Sequence, residues 1–259
     1  MKKILGIIML ESFLLLCGCH RIPENTVFSL EDLKGKKIGV QIQTTGDIYA
    51  TDIENADVKR FNKGKDAVAA LREGEIDAVI LDDGPARLFV EEFKDIRILD
   101  ESYEEEEYGI AVKKGNKELL DKINIALDRI EEDGTLEAIF QNWIYEGGKE
   151  SAYQRKVEES ELNDKLIMVT NAEFPPYESE ENGELRGIDI DIMKAICDEL
   201  NMKLEIQDIA FDSLISAVDR GIADVGVAAI SITDDRLKQV DFSESYAKAK
   251  QVVIVRDSE

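Results

Sequence analysis

The sequence predicts an α/β protein made of two similar lobes, each a mostly parallel sheet flanked by helices. Three observations carry that expectation. Strand–helix–strand order recurs along the chain, and parallel strands need such helical crossovers. A stretch of the front half, "ALREGEIDAV", superposes on one of the back half, "AVDRGIADVG", with glycine, two residues and aspartate at the same spacing. The length of 259 residues, with 34 % charged and 44 % apolar residues, allows two small lobes that each bury a core.

The elements follow in order. Ser29 and Asp32 form a capping-box pattern ahead of the short strand "KKIGVQI". Thr44, Thr45 and Gly46 then open a helix. "KDAVAALREG" reads as a helix closed by Gly74, because a helix C-terminus favours a left-handed residue, and the apolar strand Ile76–Leu81 follows. Glu104–Glu107 is a solvated acidic run near a crossover. "YGIAVKK" is a strand. Leu119, Leu120, Ile123 and Leu127 form an apolar helical stripe, and Thr135, Leu136, Ile139, Phe140 and Trp143 begin the next. Residues 147–165 are polar and read as a linker. "LIMVT" to "KLEIQDI" gives strand, Pro-rich loop, hairpin, helix and strand. "DSLISAVDRG" is a helix closed by Gly221, with a strand from Ala223. Asp77 and Asp224, at matching places in the repeat, are expected to fix the turn into each strand rather than to do chemistry.

A formal charge of −24 argues against nucleic acid and against a polybasic membrane contact. The single histidine, His20, lies beside the first segment, so no His-based metal site or Ser–His pair is available further on. No Walker loop or dinucleotide fingerprint occurs, and no cofactor is expected. "MKKILGIIMLESFLLLCGC" has a basic start and an apolar run too short for a comfortable span, which reads as an export leader over residues 1–19. Its end, Leu16-Cys17-Gly18-Cys19, resembles the lipobox of bacterial lipoproteins, which implies lipidation at Cys19. Cys197 sits at core spacing in "IDIMKAICDEL" and reads as a buried structural thiol.

Several long pieces converge on one resemblance. "TNAEFPPYESEENGELRGIDIDIMKAICDEL", "AAISITDDRLKQVDFSESYA", "SLEDLKGKKIGVQIQTTGDIY", "DAVILDDGPARLF" and "YGIAVKKGNKELLDKINIALDRIEEDGTLEAIFQNW" resemble bacterial extracellular solute-binding proteins of the polar amino-acid family. The resemblance runs from Val27 to Val255 and implies a two-lobed, type II periplasmic-binding-protein-like fold. The order differs. In that family the "FPPY" and "SITDDR" half comes first; here it comes second, as in a circular permutation whose old ends are joined by 147–165. The implied division is a second lobe of 27–106 plus 249–259 and a first lobe of 107–248. A closed monomer is expected, with two chains exchanging halves as the alternative.

The resemblance also implies a site. An α-amino acid carries a carboxylate and an ammonium, and both need partners in a closed cleft. Arg236 matches the carboxylate fork and Asp83 the ammonium partner. Ser231 and the Ala229 backbone match positions that touch the same ligand ends. Thr44, Thr45 and Gly46 match the loop that meets the carboxylate from the other lobe. Phe174 and Phe211 match aromatic walls, and Asn171 and Gln41 fall where the family varies with ligand. The implied function is extracytoplasmic capture of a polar amino acid and delivery to an ABC permease, on a lipid anchor. One alternative is a cyclohexadienyl or arogenate dehydratase-like enzyme with Glu173 as its acid; another is a sensing module for a signalling partner.

Overall fold

The structure is a computed structural model that describes residues 22–145, Gly148, Tyr153, Gln154 and 164–257. The leader, Cys19 and most of the 147–165 linker lie outside the described residues. The elements in chain order begin with β1 (Lys37–Gln41), α1 (Thr45–Asp52), β2 (Asp57–Phe61), α2 (Gly64–Arg72), β3 (Ala78–Asp82) and α3 (Asp83–Glu92). Then come β4 (Ile96–Tyr108), β5 (Ala111–Lys113), α4 (Lys117–Glu132) and α5 (Thr135–Phe140). The back half holds β6 (Asp164–Thr170), β7 (Glu173–Phe174), β8 (Glu178–Glu181), β9 (Glu184–Arg186), α6 (Ile188–Glu199) and β10 (Met202–Asp208). It ends with α7 (Leu214–Asp219), β11 (Val225–Gly226), α8 (Asp234–Leu237), β12 (Val240–Phe242) and β13 (Ala247–Arg256).

Two five-stranded sheets organise these elements, in the orders β2-β1-β3-β13-β4 and β10-β6-β11-β5-β12. The pattern is the same in both: three parallel strands, then an antiparallel strand brought from the other end of the chain. The C-terminal β13 completes the first sheet, and β5 of the front half completes the second. Two segments therefore cross between sheets, one from β4 into β5 and one from β12 into β13. They are bonded side by side, with Tyr246 N–H on Tyr108 O at 3.0 Å and Ser243 N–H on Ile110 O at 2.9 Å. We call the unit around each sheet a lobe.

Both faces of the first sheet are covered, which is why its strands read as continuous apolar runs. Ile80, Val253 and Val255 face one core with Leu33 and Ala50; Val79, Leu81, Val252 and Ile254 face the other with Val68 and Leu71. The repeat keeps its physical meaning. Asp77 Oδ2 accepts from Lys37 N–H at 2.9 Å, and Asp224 Oδ2 accepts from Ile167 N–H at 2.8 Å. Each aspartate thus ties the turn before its strand to the backbone of the neighbouring strand. Gly74 and Gly221 lie at φ of 78° and 70°, as their helix-closing positions require.

The strands after these turns start later than the apolar runs suggest, at Ala78 and Val225, because the aspartates are spent on the turn. Cys197 is buried in α6. The Tyr153 hydroxyl donates to Asp198 Oδ2 at 2.8 Å, which ties this residue to α6.

Candidate ligand-binding site

The site is assembled where the two lobes face each other. Thr44 caps α1, and its hydroxyl receives Asp47 N–H at 3.3 Å. Thr45 is the first residue of that helix. Gly46 lies behind it, where a Cβ would stand 3.0 Å from Ile80 O, tighter than ordinary contact, so glycine suits this close approach of α1 to β3. From the other lobe, Thr233 caps α8, and the first turn carries Arg236 into the cleft. The Phe174–Tyr177 loop is held by Gly187 at φ 139°, where a Cβ would overlap Tyr177 O.

These elements enclose a cavity of about 10 Å³, and a groove of about 590 Å³ shares Phe211 and Arg236 with it. Gln41, Thr44 and Thr45 come to the cavity wall from the lobe that holds β1. Asn171, Phe174, Phe211, Ala229, Ser231 and Arg236 come from the lobe that holds β6. Gly46 supports the wall from behind. Arg236 is buried and stacked 5.6 Å from the centre of the Phe211 ring. Its Nη1 donates to Ser231 O at 2.8 Å and its Nη2 to Gln43 O at 2.9 Å, so one guanidinium joins both lobes. Burial draws its pKa down, and the nearby Glu106 and Asp82 charges oppose that. Gln41 Nε2 donates to Asn171 Oδ1 at 3.1 Å across the same gap.

Of two adjacent aspartates, the structure brings Asp82 rather than Asp83 to the cavity wall. Asp83, the expected ammonium partner, begins α3 outside the cavity, where its side chain pairs with Arg87 and accepts Lys250 N–H at 3.3 Å. Asp82, the last residue of β3, is the aspartate on the cavity wall. The reason is geometric: β3 ends at Asp82, and the next side chain turns away with the helix. A signal for this was present in the repeat. Asp82 lies five residues after Asp77, as Ala229 lies five after Asp224, so the repeat pairs Asp82 with a cavity residue of the other lobe. Burial raises the Asp82 carboxyl to about 6, against the lowering effect of hydrogen bonds from Tyr108 and Gln251.

Sequence reading also missed the support behind the wall. Ala229 adopts φ 46°, a left-handed conformation that costs a non-glycine residue energy. Its N–H is fixed by Asp189 Oδ2 at 2.7 Å. Burial lifts the Asp189 carboxyl to about 6, and burial plus the Asp189 charge hold Glu178 well above its usual range. Glu106, expected to be a solvated residue of an acidic run, instead turns into the cleft and accepts from Thr45 and Ser231.

Glu173 closes the rim. Its carboxylate takes Lys63 and, at 2.6 Å, Lys65, both from the opposite lobe. Burial pushes its pKa up, but the two lysines outweigh that and hold it below the usual carboxylate range. A general acid needs the opposite shift. The arrangement is a latch, exposed enough to be screened. Glu173→Gln is expected to weaken ligand binding by no more than about fivefold at low salt, and the difference from wild type should vanish near 0.5 M salt. A titration series in sodium chloride checks this; a salt-independent loss would place Glu173 on the ligand instead.

A cleft between two α/β lobes, with a buried guanidinium from one and a buried carboxylate from the other, defines a two-lobed solute-binding architecture. The chain belongs to the bacterial extracellular solute-binding proteins, family 3, whose model matches residues 25–146 and 166–259. The L-cystine-binding protein TcyJ of Escherichia coli (strain K12) is 33 % identical over 123 residues, 47 % of this chain and 46 % of that protein. The arginine-binding extracellular protein ArtP of Bacillus subtilis (strain 168) is 36 % identical over 90 residues, 35 % of each. A solved ancestral arginine-binding protein bound to glutamine is 44 % identical over 32 % of this chain and 37 % of that one, with a TM-score of 0.31. The chain spans less than half the length of these relatives. The family and these relatives are binding proteins rather than enzymes.

Proposed function

We propose that this protein captures a polar α-amino acid between its lobes outside the cytoplasm and hands it to an ABC importer. The observation that carries the reading is that Arg236 and Asp82, opposite charges from opposite lobes, wall one cavity. Arg236 grips the carboxylate, aided by the Thr44–Thr45–Gly46 turn and Ser231; Asp82 and the Ala229 backbone hold the ammonium. Phe174 and Phe211 sandwich the side chain, and the Gln41–Asn171 amide pair meets its polar end. Relatives named for cystine, arginine and glutamine binding support a polar amino acid as the ligand class. Micromolar binding requires about −8 kcal/mol, and the desolvated contacts of the closed cleft supply it.

The tether is a lipid on Cys19, which becomes the first residue of the chain once the leader before it is removed. The chain is a circular permutation that closes as a monomer, with lobes of 27–106 plus 249–259 and of 107–248. Its family match falls in two segments separated at 147–165, and this supports the reading. A thermal-shift screen over the twenty amino acids tests the function. At least one polar amino acid should raise the melting temperature, because a ligand that binds only the folded state stabilises it. No shift with any polar amino acid at millimolar concentration would end the reading.

A further inference from the structure

We propose that the Glu106 carboxylate is an internal stand-in for the ligand's carboxylate, holding the lobes together until an amino acid displaces it. The inference rests on the receptor reading above but has its own signature. Glu106 belongs to β4, a strand that crosses between lobes, and it pairs with Ala249 of the other crossing strand. It lies two residues before Tyr108, so both side chains leave the strand on the same face, toward the cleft.

Its Oε2 accepts from Thr45 Oγ1 at 2.8 Å and from Ser231 Oγ at 2.6 Å, one hydroxyl from each lobe. A hydroxyl has one proton to give. While Glu106 holds both, neither can donate to a second carboxylate. The Arg236 fork is engaged in the same way, with both lobes' carbonyls. The cavity of about 10 Å³ is far too small for an amino acid, so entry requires these contacts to be exchanged. Exchange is energetically plausible because the other oxygen, Oε1, is buried and has no hydrogen-bond partner among the described residues. A buried oxygen left unpaired is costly, and a ligand carboxylate that places both oxygens on donors removes that cost.

The opposing possibility is that Glu106 stays in place and receives a cationic group of the ligand. The two differ in sign. Under our proposal, a fraction of self-occupied clefts near 90 % lowers apparent affinity about tenfold. Glu106→Ala should therefore bind the amino acid found in the thermal screen about tenfold more tightly than wild type. Small-angle scattering of Glu106→Ala, with no ligand added, should give a larger radius of gyration. Sodium acetate should compact this variant and leave wild type unchanged. Glu106→Gln, which keeps an accepting oxygen without the charge, should shift the same way by less, and it carries the test if the alanine variant does not fold. Weaker or unchanged amino-acid binding in a folded variant overturns the proposal, as does scattering insensitive to both substitution and acetate. If neither wild type nor variants bind any amino acid, the receptor reading falls, and the acetate response alone decides the role of Glu106.

Discussion

Arg236→Ala is expected to weaken amino-acid binding by about 2–5 kcal/mol, a loss of roughly thirtyfold or more. Two costs add. The ligand carboxylate loses a bidentate, charge-assisted partner in a cleft that closure strips of water. The lobes also lose a direct tie, because the guanidinium joins Ser231 O to Gln43 O. Arg236→Lys keeps the charge but not the planar fork, and it should recover only part of the affinity. Calorimetry on folded variants checks both. Unchanged affinity in Arg236→Ala would remove this residue from the site and leave the cavity without its cation.

Asp82→Asn is expected to bind weakly while gaining stability at neutral pH. The Asp82 carboxyl is raised to about 6 from 3.8 by burial. Between those values the folded chain holds a proton that the unfolded chain has released. Stability therefore falls as pH rises through that window, and above it the ionised group costs on the order of 3 kcal/mol at most. Asparagine removes that cost and still offers an oxygen to Tyr108. It cannot neutralise the ligand's ammonium, so affinity should drop by at least tenfold at pH 7.5. In wild type, affinity should fall as pH is lowered through about 6. Binding near pH 6 should release protons, seen as a heat that varies with buffer ionisation enthalpy. A pH-independent affinity between 5 and 8, or a neutral-pH Asp82→Asn protein that binds as wild type does, would exclude Asp82 as the ammonium partner.

Under the proposed function, these two groups trade stability for binding. Asp82 and Arg236 sit too far inside to be neutral ornaments of the surface. Each is held by partners that fix its geometry: Tyr108 and Gln251 behind the aspartate, and backbone carbonyls around the arginine. The latch of Lys63, Lys65 and Glu173 lies at the rim and contributes less, because solvent screens it. Under the proposed function, closure therefore has a strong inner contribution that depends on ligand charge and a weak outer one that depends on salt.

Much of this molecule follows from local rules. Apolar strands covered on both faces, helices closed by Gly74 and Gly221, the capping box at Ser29 and the repeated aspartates at 77 and 224 all reflect short-range chemistry. The family resemblance, rather than a local rule, points to Arg236, Phe174 and Phe211, and the structure brings all three to one cavity wall. What the sequence alone left open was long-range. Asp82 rather than Asp83 faces the cavity because of where β3 ends. Glu106 belongs to the site, not to solvent, because the crossing of β4 sets its face against Thr45 and Ser231 from residues 61 and 125 positions away. Short-range propensity knows nothing of such distances; only the pairing of the crossing strands, and the packing of one lobe on the other, decides them.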